Sequence, residues 1–139
     1  CPILLARGTF PYGRILVPVA DTRSGAEAVE LAVDVARAFG ASLTALHVAP
    51  PRFIGGLQSR VTASEVASRV QELGQLYSLS LTWEQTEGNP IREAIKRATR
   101  SDLLVVSRTR GQRDSYIDPD VALRIALGAR CSALILSRG

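Results

Sequence analysis

Residues 14–49, RILVPVADTRSGAEAVELAVDVARAFGASLTALHVA, predict a strand, a helix and a second strand in direct succession. Residues 14–20 are almost continuously apolar, which is typical of a strand whose sheet is covered on both faces. In residues 25–39 the charged side chains are spaced three, four and three apart, so they form one polar stripe on an apolar helix: Glu27, Glu30, Asp34 and Arg37. This succession indicates a βαβ unit with a parallel sheet.

The alternation of apolar runs and helical segments continues to the end of the chain. Residues 61–77 and 91–98 carry apolar side chains at helical spacing. Residues 79–87 alternate apolar and polar side chains, which predicts an edge strand with one face in water. The apolar run in 102–107 predicts a central strand, and residues 132–137 close the sheet. The pattern predicts five strands and four helices, an α/β fold with a doubly wound parallel sheet.

Two short polar signals predict where helices begin. Asn89 can cap a helix whose first residue is Pro90, a position where the missing N–H is not needed. Asp118 and Pro119 repeat this arrangement ahead of the last helix.

Composition excludes several classes of protein. The net charge of +4 comes from 17 basic and 13 acidic residues spread along the chain, with few aromatic residues, so we expect no nucleic-acid partner. Cys1 and Cys131 lie far apart without a CxxC motif, which indicates neither a disulfide framework nor a metal site. No apolar run approaches the roughly 20 residues of a membrane-spanning helix. We therefore expect a domain in the reducing cytoplasm.

The first residues are similar to the last ones. CPILLARG at 1–8 matches CSALILSRG at 131–139: Cys1 corresponds to Cys131, Leu4 and Leu5 correspond to Leu134 and Ile135, and a one-residue slip aligns the Arg-Gly pairs. We interpret residues 1–13 as the closing strand of a preceding, related domain plus a linker, and residues 14–139 as the domain itself. Whether residues 1–8 fold back or pair with a neighbour is left open.

Three stretches resemble the universal stress protein family: residues 14–50, then GNPIREAIKRATRSDLLVVSRTRG at 88–111, then ALGARCSALILS at 126–137. The resemblance implies an adenine nucleotide alpha hydrolase-like fold with a five-stranded parallel sheet in the order 3-2-1-4-5. It also implies a homodimer formed through the last strand, residues 132–137. Tandem domains and attachment to a membrane transporter are common in this family.

Nucleotide-binding members hold ATP with a loop Gly-x-x-Gly, about nine residues and Gly-Ser or Gly-Thr, whose N–H groups face the phosphates. Here Arg108 stands at the first glycine, Gly111 keeps the second, and the final pair falls at 119–120 or 121–122. Carboxylates near that helix start would repel a polyphosphate by about 1 to 3 kcal/mol at the effective dielectric of a surface. Arginine side chains could instead grip phosphate: Arg108, Arg110 and Arg113.

The family's adenine contacts are also altered. The aspartate that ends the first strand falls at Ala20, with Asp21 one residue later, and Val48 matches a position that packs on adenine. His47, the one histidine, is expected to be packed or hydrogen-bonded rather than catalytic. The candidate nucleotide cleft thus comprises Ala20, Asp21, Val48, Ser107, Arg108, Arg110 and Gly111.

Two functions remain open. The favoured one is a non-catalytic, dimerising or regulatory universal-stress-type domain with a degenerate nucleotide loop and no cofactor. The other is a sensor that binds ATP or a related adenine nucleotide through the arginines of residues 107–120. A flavodoxin-like or receiver domain ranks third, because the acidic cluster of a receiver is missing. No Walker, Rossmann or GxSxG motif is present, so we expect no enzyme activity.

Overall fold

The computed structural model describes residues 2–19, 23–49, 57–109 and 121–138. Within these ranges the chain forms ten elements, which in chain order are β1 (Pro2–Leu5), β2 (Arg14–Val19), α1 (Arg23–Phe39), β3 (Ser42–Ala49), α2 (Leu57–Tyr77), β4 (Leu81–Glu87), α3 (Pro90–Ala98), β5 (Leu103–Thr109), α4 (Val121–Gly128) and β6 (Ser132–Arg138).

All these strands belong to one six-stranded sheet with the order β1-β6-β5-β2-β3-β4. The strands from β2 to β6 pair in parallel, so the predicted order 3-2-1-4-5, counted from Arg14, is confirmed. The predicted five-stranded parallel sheet was wrong in one respect, because β1 adds an antiparallel strand beside β6. This pairing satisfies backbone groups that an open edge of β6 would leave to water or to another chain.

Helices cover both faces of the sheet. Buried residues of α1 and α2 pack with Ile15, Val17 and Leu43 on one face, and buried residues of α3 and α4 pack with Leu16 and Leu46 on the other. Neighbouring strand residues alternate between the two clusters, as the period of a strand requires. The sheet therefore has two apolar layers, which explains the continuous apolar runs of β2 and β5.

The predicted positions of two strands are confirmed. β5 lies between β6 and β2, and Leu103 to Val106 are all buried. β4 lies at the far edge, where its residues alternate between half-buried and exposed along most of its length. The central strand β5 is thus buried on both faces, whereas the edge strand β4 is shielded on one face only.

The helix ends follow from local chemistry. The Asn89 side chain accepts hydrogen bonds from the N–H groups of Ile91 and Arg92, at 3.0 and 3.2 Å, and Pro90 opens α3 as predicted. Gly40, at φ 63°, ends α1 in the left-handed region and lets the N–H of Ala41 reach the Ala36 carbonyl at 2.9 Å. The predicted cap at Asp118 and Pro119 lies outside the described residues.

Candidate functional site

β2 and β5 diverge where the chain changes direction across the sheet, and we call the space between their carboxyl ends the crevice. The ladder between these strands has only two residue pairs, Ile15 with Leu103 and Leu16 with Leu104. The ladder between β2 and β3 has six and continues to Val19. The sheet therefore opens toward the carboxyl ends of β2 and β5, which is where doubly wound sheets bind ligands.

The described part of the chain includes three of the seven predicted cleft residues. Val48 is half-buried near the end of β3 and packs against the cluster beneath α3 and α4. Ser107, also half-buried, lies in β5 opposite Leu136, and Arg108 follows it in the strand. The others lie outside the described residues: Ala20, Asp21, Arg110 and Gly111.

Val48 and Ser107 do not face each other. Strand alternation places Ser107 on the same face as Val105, which packs beneath α1 and α2. Val48 lies on the opposite face, and β2 separates the two strands. The carboxyl ends of β3 and β5 therefore lie at the same end of the sheet, but the side chains of Val48 and Ser107 do not form one surface.

His47 is a packed residue, as predicted. Its side chain is 3% exposed, and its ring stacks on Trp83 with centroids 6.0 Å apart and an interplanar angle of 15°. In the sheet His47 lies between Val19 of β2 and Gln85 of β4. The stacking ties the end of β3 to the edge strand.

Cys131 is a buried residue immediately before β6, and burial raises the pKa of its thiol. A raised pKa keeps the sulfur protonated near neutral pH, and the thiolate is the form that attacks substrates or binds metals. Cys131 is thus a structural residue. Among residues 2–19, 23–49, 57–109 and 121–138, no group of three His, Cys, Asp or Glu side chains could hold a metal ion.

The second site is the outer edge of β6. β1 pairs with it in a register that places Leu4 opposite Leu134 and Leu5 opposite Ala133. Leu5 packs against the cluster beneath α3 and α4. Ile3 and Leu4 are 55% and 48% exposed, so β1 presents apolar side chains to water on both faces.

A hydrogen-bond network fixes the segment that follows β1. The buried Ser132 hydroxyl accepts from the Arg7 N–H at 2.9 Å, and the Arg7 guanidinium donates to the Cys131 carbonyl at 2.8 Å. The Thr9 hydroxyl donates to the Asp102 carbonyl at 2.6 Å and accepts from the Ser132 N–H at 2.9 Å. Residues 7–9 are thereby joined to the starts of β5 and β6.

The Asp102 carboxylate fixes the backbone at the start of β2. One of its oxygens accepts from the N–H groups of Gly13 and Arg14 at 3.2 and 2.9 Å and lies 3.8 Å from the Arg14 guanidinium. The Asp102 N–H donates to the Arg14 carbonyl at 2.8 Å. The sequence pattern did not single out Asp102, Thr9 or Ser132, because their contacts join segments about 90 to 125 residues apart.

No helix in the described parts of the chain is long and apolar enough to cross a membrane.

Solved universal stress proteins share this fold. UspA from Lactobacillus plantarum is 22% identical, with a TM-score of 0.68, and the match covers 92% of this chain and 98% of that one. A universal stress protein solved in complex with cAMP is 16% identical, with a TM-score of 0.70, covering 90% and 97%. For one from Archaeoglobus fulgidus DSM 4304 the identity is 13% and the TM-score 0.75, covering 99% of this chain and 51% of that chain.

No curated protein sequence matches this chain. The model of the Universal stress protein family matches residues 11–137, nearly the whole length. The α/β sheet, its crevice at the switch point and this match agree, and the chain belongs to the universal stress protein family.

Proposed function

We propose that this domain is a non-catalytic association module of the stress response, whose β6 edge binds the last strand of a second universal-stress-type domain. In this chain β1 supplies that strand. The observation that carries the proposal is the register of β1 against β6. Leu4 and Leu134, which correspond in the sequence match, lie opposite each other.

The rest of the register has the same symmetry. Leu5 corresponds to Ile135 and lies opposite Ala133. In a pair of identical antiparallel strands with Leu134 at the twofold axis, Ile135 of one copy also lies opposite Ala133 of the other. β1 therefore occupies the place that a second β6 would take in a symmetric dimer.

The lengths of the similar structures support the division into residues 1–13 and 14–139. The match to Lactobacillus plantarum UspA uses nearly all of that chain and leaves 8% of this one unmatched, since it covers 92%. The Archaeoglobus fulgidus match covers 99% of this chain with about half of the other, 51%. This difference in coverage is what we expect if the additional residues of this chain are the closing strand of a preceding domain.

The proposal changes how the homodimer through residues 132–137 would form. The edge of β6 that would pair with a second copy is occupied by β1. A symmetric dimer therefore requires β1 to leave. We assign the module a regulatory role in the cytoplasm, in a tandem protein or beside a membrane transporter, where displacement of β1 exchanges one partner domain for another.

Deletion of residues 1–5 tests this proposal. We expect the full chain to be monomeric in light scattering and the deleted chain to dimerise, because the β6 edge and its apolar neighbours become free. In the deleted chain with Cys131→Ser, we expect Leu134→Cys to form an intersubunit disulfide, since directly opposed antiparallel residues have suitable spacing.

The matched control is Ile135→Cys in the same background. Ile135 would face Ala133 of the partner rather than its own copy, so it should cross-link far less. A deleted chain that stays monomeric, or equal cross-linking at both positions, would contradict the proposal.

A second candidate is an adenine-nucleotide sensor, favoured by the structure described as a complex with cAMP and by the crevice between β2 and β5. The altered loop argues against it, because Arg108 replaces the first glycine and neither candidate for the final Gly-Ser or Gly-Thr pair, 119–120 or 121–122, contains a glycine.

Thermal denaturation with millimolar ATP or cAMP separates the two functions. A rise of several degrees that is lost in Arg108→Ala or Arg110→Ala would favour the sensor. An unchanged melting temperature is expected for the association module.

A further inference from the structure

The outward side of α3 and α4 is strongly basic. Arg92, Lys96 and Arg100 recur every four residues, so they project from one side of α3 and the turn after it. All three are exposed, and none takes part in the ion pairs formed among the described residues. Arg130, which follows α4, is exposed as well. We call the surface that carries these four cations the basic face.

The two helices form one continuous surface. Gly128 of α4 lies so close to Ile95 of α3 that a Cβ on the glycine would be 2.5 Å from the isoleucine Cδ1. In α4, Ile125 and Ala126 are buried against the sheet. Arg124 and Leu127 are three residues apart, so they lie together on the opposite, exposed side of the helix. Leu127 is 63% exposed. The basic face thus includes one large apolar side chain in water.

The opposite side of the sheet has a different charge distribution. On α1 and α2, Arg69 lies 3.7 Å from Glu30 and 3.4 Å from Glu72, and Arg37 lies 4.3 Å above the Tyr77 ring. In α3, α4 and the turns that follow them, residues 90–101 and 121–131, Glu93 is the one acidic residue and it is half-buried. Among the described residues, unpaired positive charge is therefore concentrated on the side of α3 and the turn after α4.

We infer that the basic face binds anionic phospholipid surfaces. Clustered Lys and Arg side chains are attracted to the headgroups of an anionic leaflet, and an exposed leucine among them can enter the boundary of the acyl chains. Single-stranded nucleic acid fits less well, because it is held by aromatic side chains that stack on bases. The described residues 88–109 and 121–138 contain no aromatic residue.

Vesicle co-sedimentation of the full chain tests this inference. We expect binding to phosphatidylcholine vesicles that contain phosphatidylglycerol, no binding to phosphatidylcholine alone, and loss of binding as salt is raised. The double variant Arg92→Gln with Lys96→Gln should bind about 25-fold more weakly, because each cation near an anionic surface contributes about fivefold in affinity.

Arg37→Gln with Arg69→Gln is the charge-matched control on the other side of the sheet. It removes the same net charge and should change vesicle affinity less than about twofold if the face, rather than the total charge, is responsible. Leu127→Ala should weaken binding several-fold without changing its salt dependence. Circular dichroism verifies that each variant is folded.

Three results would overturn the inference. The first is absence of binding to anionic vesicles. The second is equal loss of affinity in the two double variants. The third is binding of an RNA oligonucleotide by the wild-type chain with no binding of vesicles, which would assign the face to nucleic acid.

Discussion

The two edge strands of the sheet, β4 and β1, differ in the polarity of their exposed side chains. At the β4 edge the exposed positions are occupied by Thr82, Gln85 and Glu87, and the half-buried Glu84 forms an ion pair with Arg97 of α3. At the β1 edge, Ile3 and Leu4 are exposed on opposite faces of an uncharged strand. Charged side chains on an edge strand discourage pairing with another chain, whereas an apolar edge invites it. The contrast indicates that the molecule associates on the β6 side of the sheet, where β1 must leave before a second copy can pair.

The largest expected effect is at the β4 edge. Trp83→Ala removes a ring that stacks on the buried His47 and packs on the core beneath α1 and α2. Because Trp83 is half-buried, we expect the free energy of unfolding to fall by about 3 kcal/mol, at the low end for a large aromatic residue. Chemical denaturation measures it. Trp83→Phe, which keeps an aromatic ring, should lose less than half as much, and equal losses would show that ring packing does not stabilise this edge.

The next largest effect is expected at the start of β2, which the segment after β1 leads into. Asp102→Ala removes the oxygen that accepts from the N–H groups of Gly13 and Arg14, and we expect a loss of about 2 kcal/mol in the free energy of unfolding. Asp102→Asn keeps an acceptor oxygen and should lose about half of that. Hydrogen exchange should show faster exchange at both amides in the alanine variant. Unchanged exchange there would mean that the carboxylate does not hold the entry to β2.

The smallest stability changes distinguish the two edges most directly. Leu4→Lys, at a 48% exposed position, should change the free energy of unfolding by less than about 0.5 kcal/mol. Arg97→Gln should also cost no more than about 0.5 kcal/mol, because its ion pair with Glu84 is more than one-third exposed and is screened. Light scattering at high protein concentration separates them. Leu4→Lys should promote dimerisation, because a charged side chain opposite Leu134 weakens the pairing of β1 with β6, whereas Arg97→Gln should leave the chain monomeric. The reverse ranking would contradict the comparison.

Periodicity was sufficient to predict the parallel part of the fold. The apolar runs of β2 and β5, the alternation in β4 and the cap at Asn89 each report burial or hydrogen bonding within a few neighbouring residues. The packing of His47 was predicted from its apolar surroundings in the same way. The opposed faces of Val48 and Ser107 were not predicted, because that relation depends on the register of strands on either side of β2.

The sequence by itself determined five parallel strands, a sheet covered on two faces and the likeness between residues 1–8 and the chain's end. The strands and covered faces follow from the spacing of apolar residues, and the likeness follows from repeated residue types. Only the tertiary structure decided that β1 lies on β6 with Leu4 opposite Leu134, and that Asp102 holds the entry to β2. The physical reason is that hydrogen bonds between segments about 90 to 130 residues apart depend on which edges and amides the folded chain brings within reach.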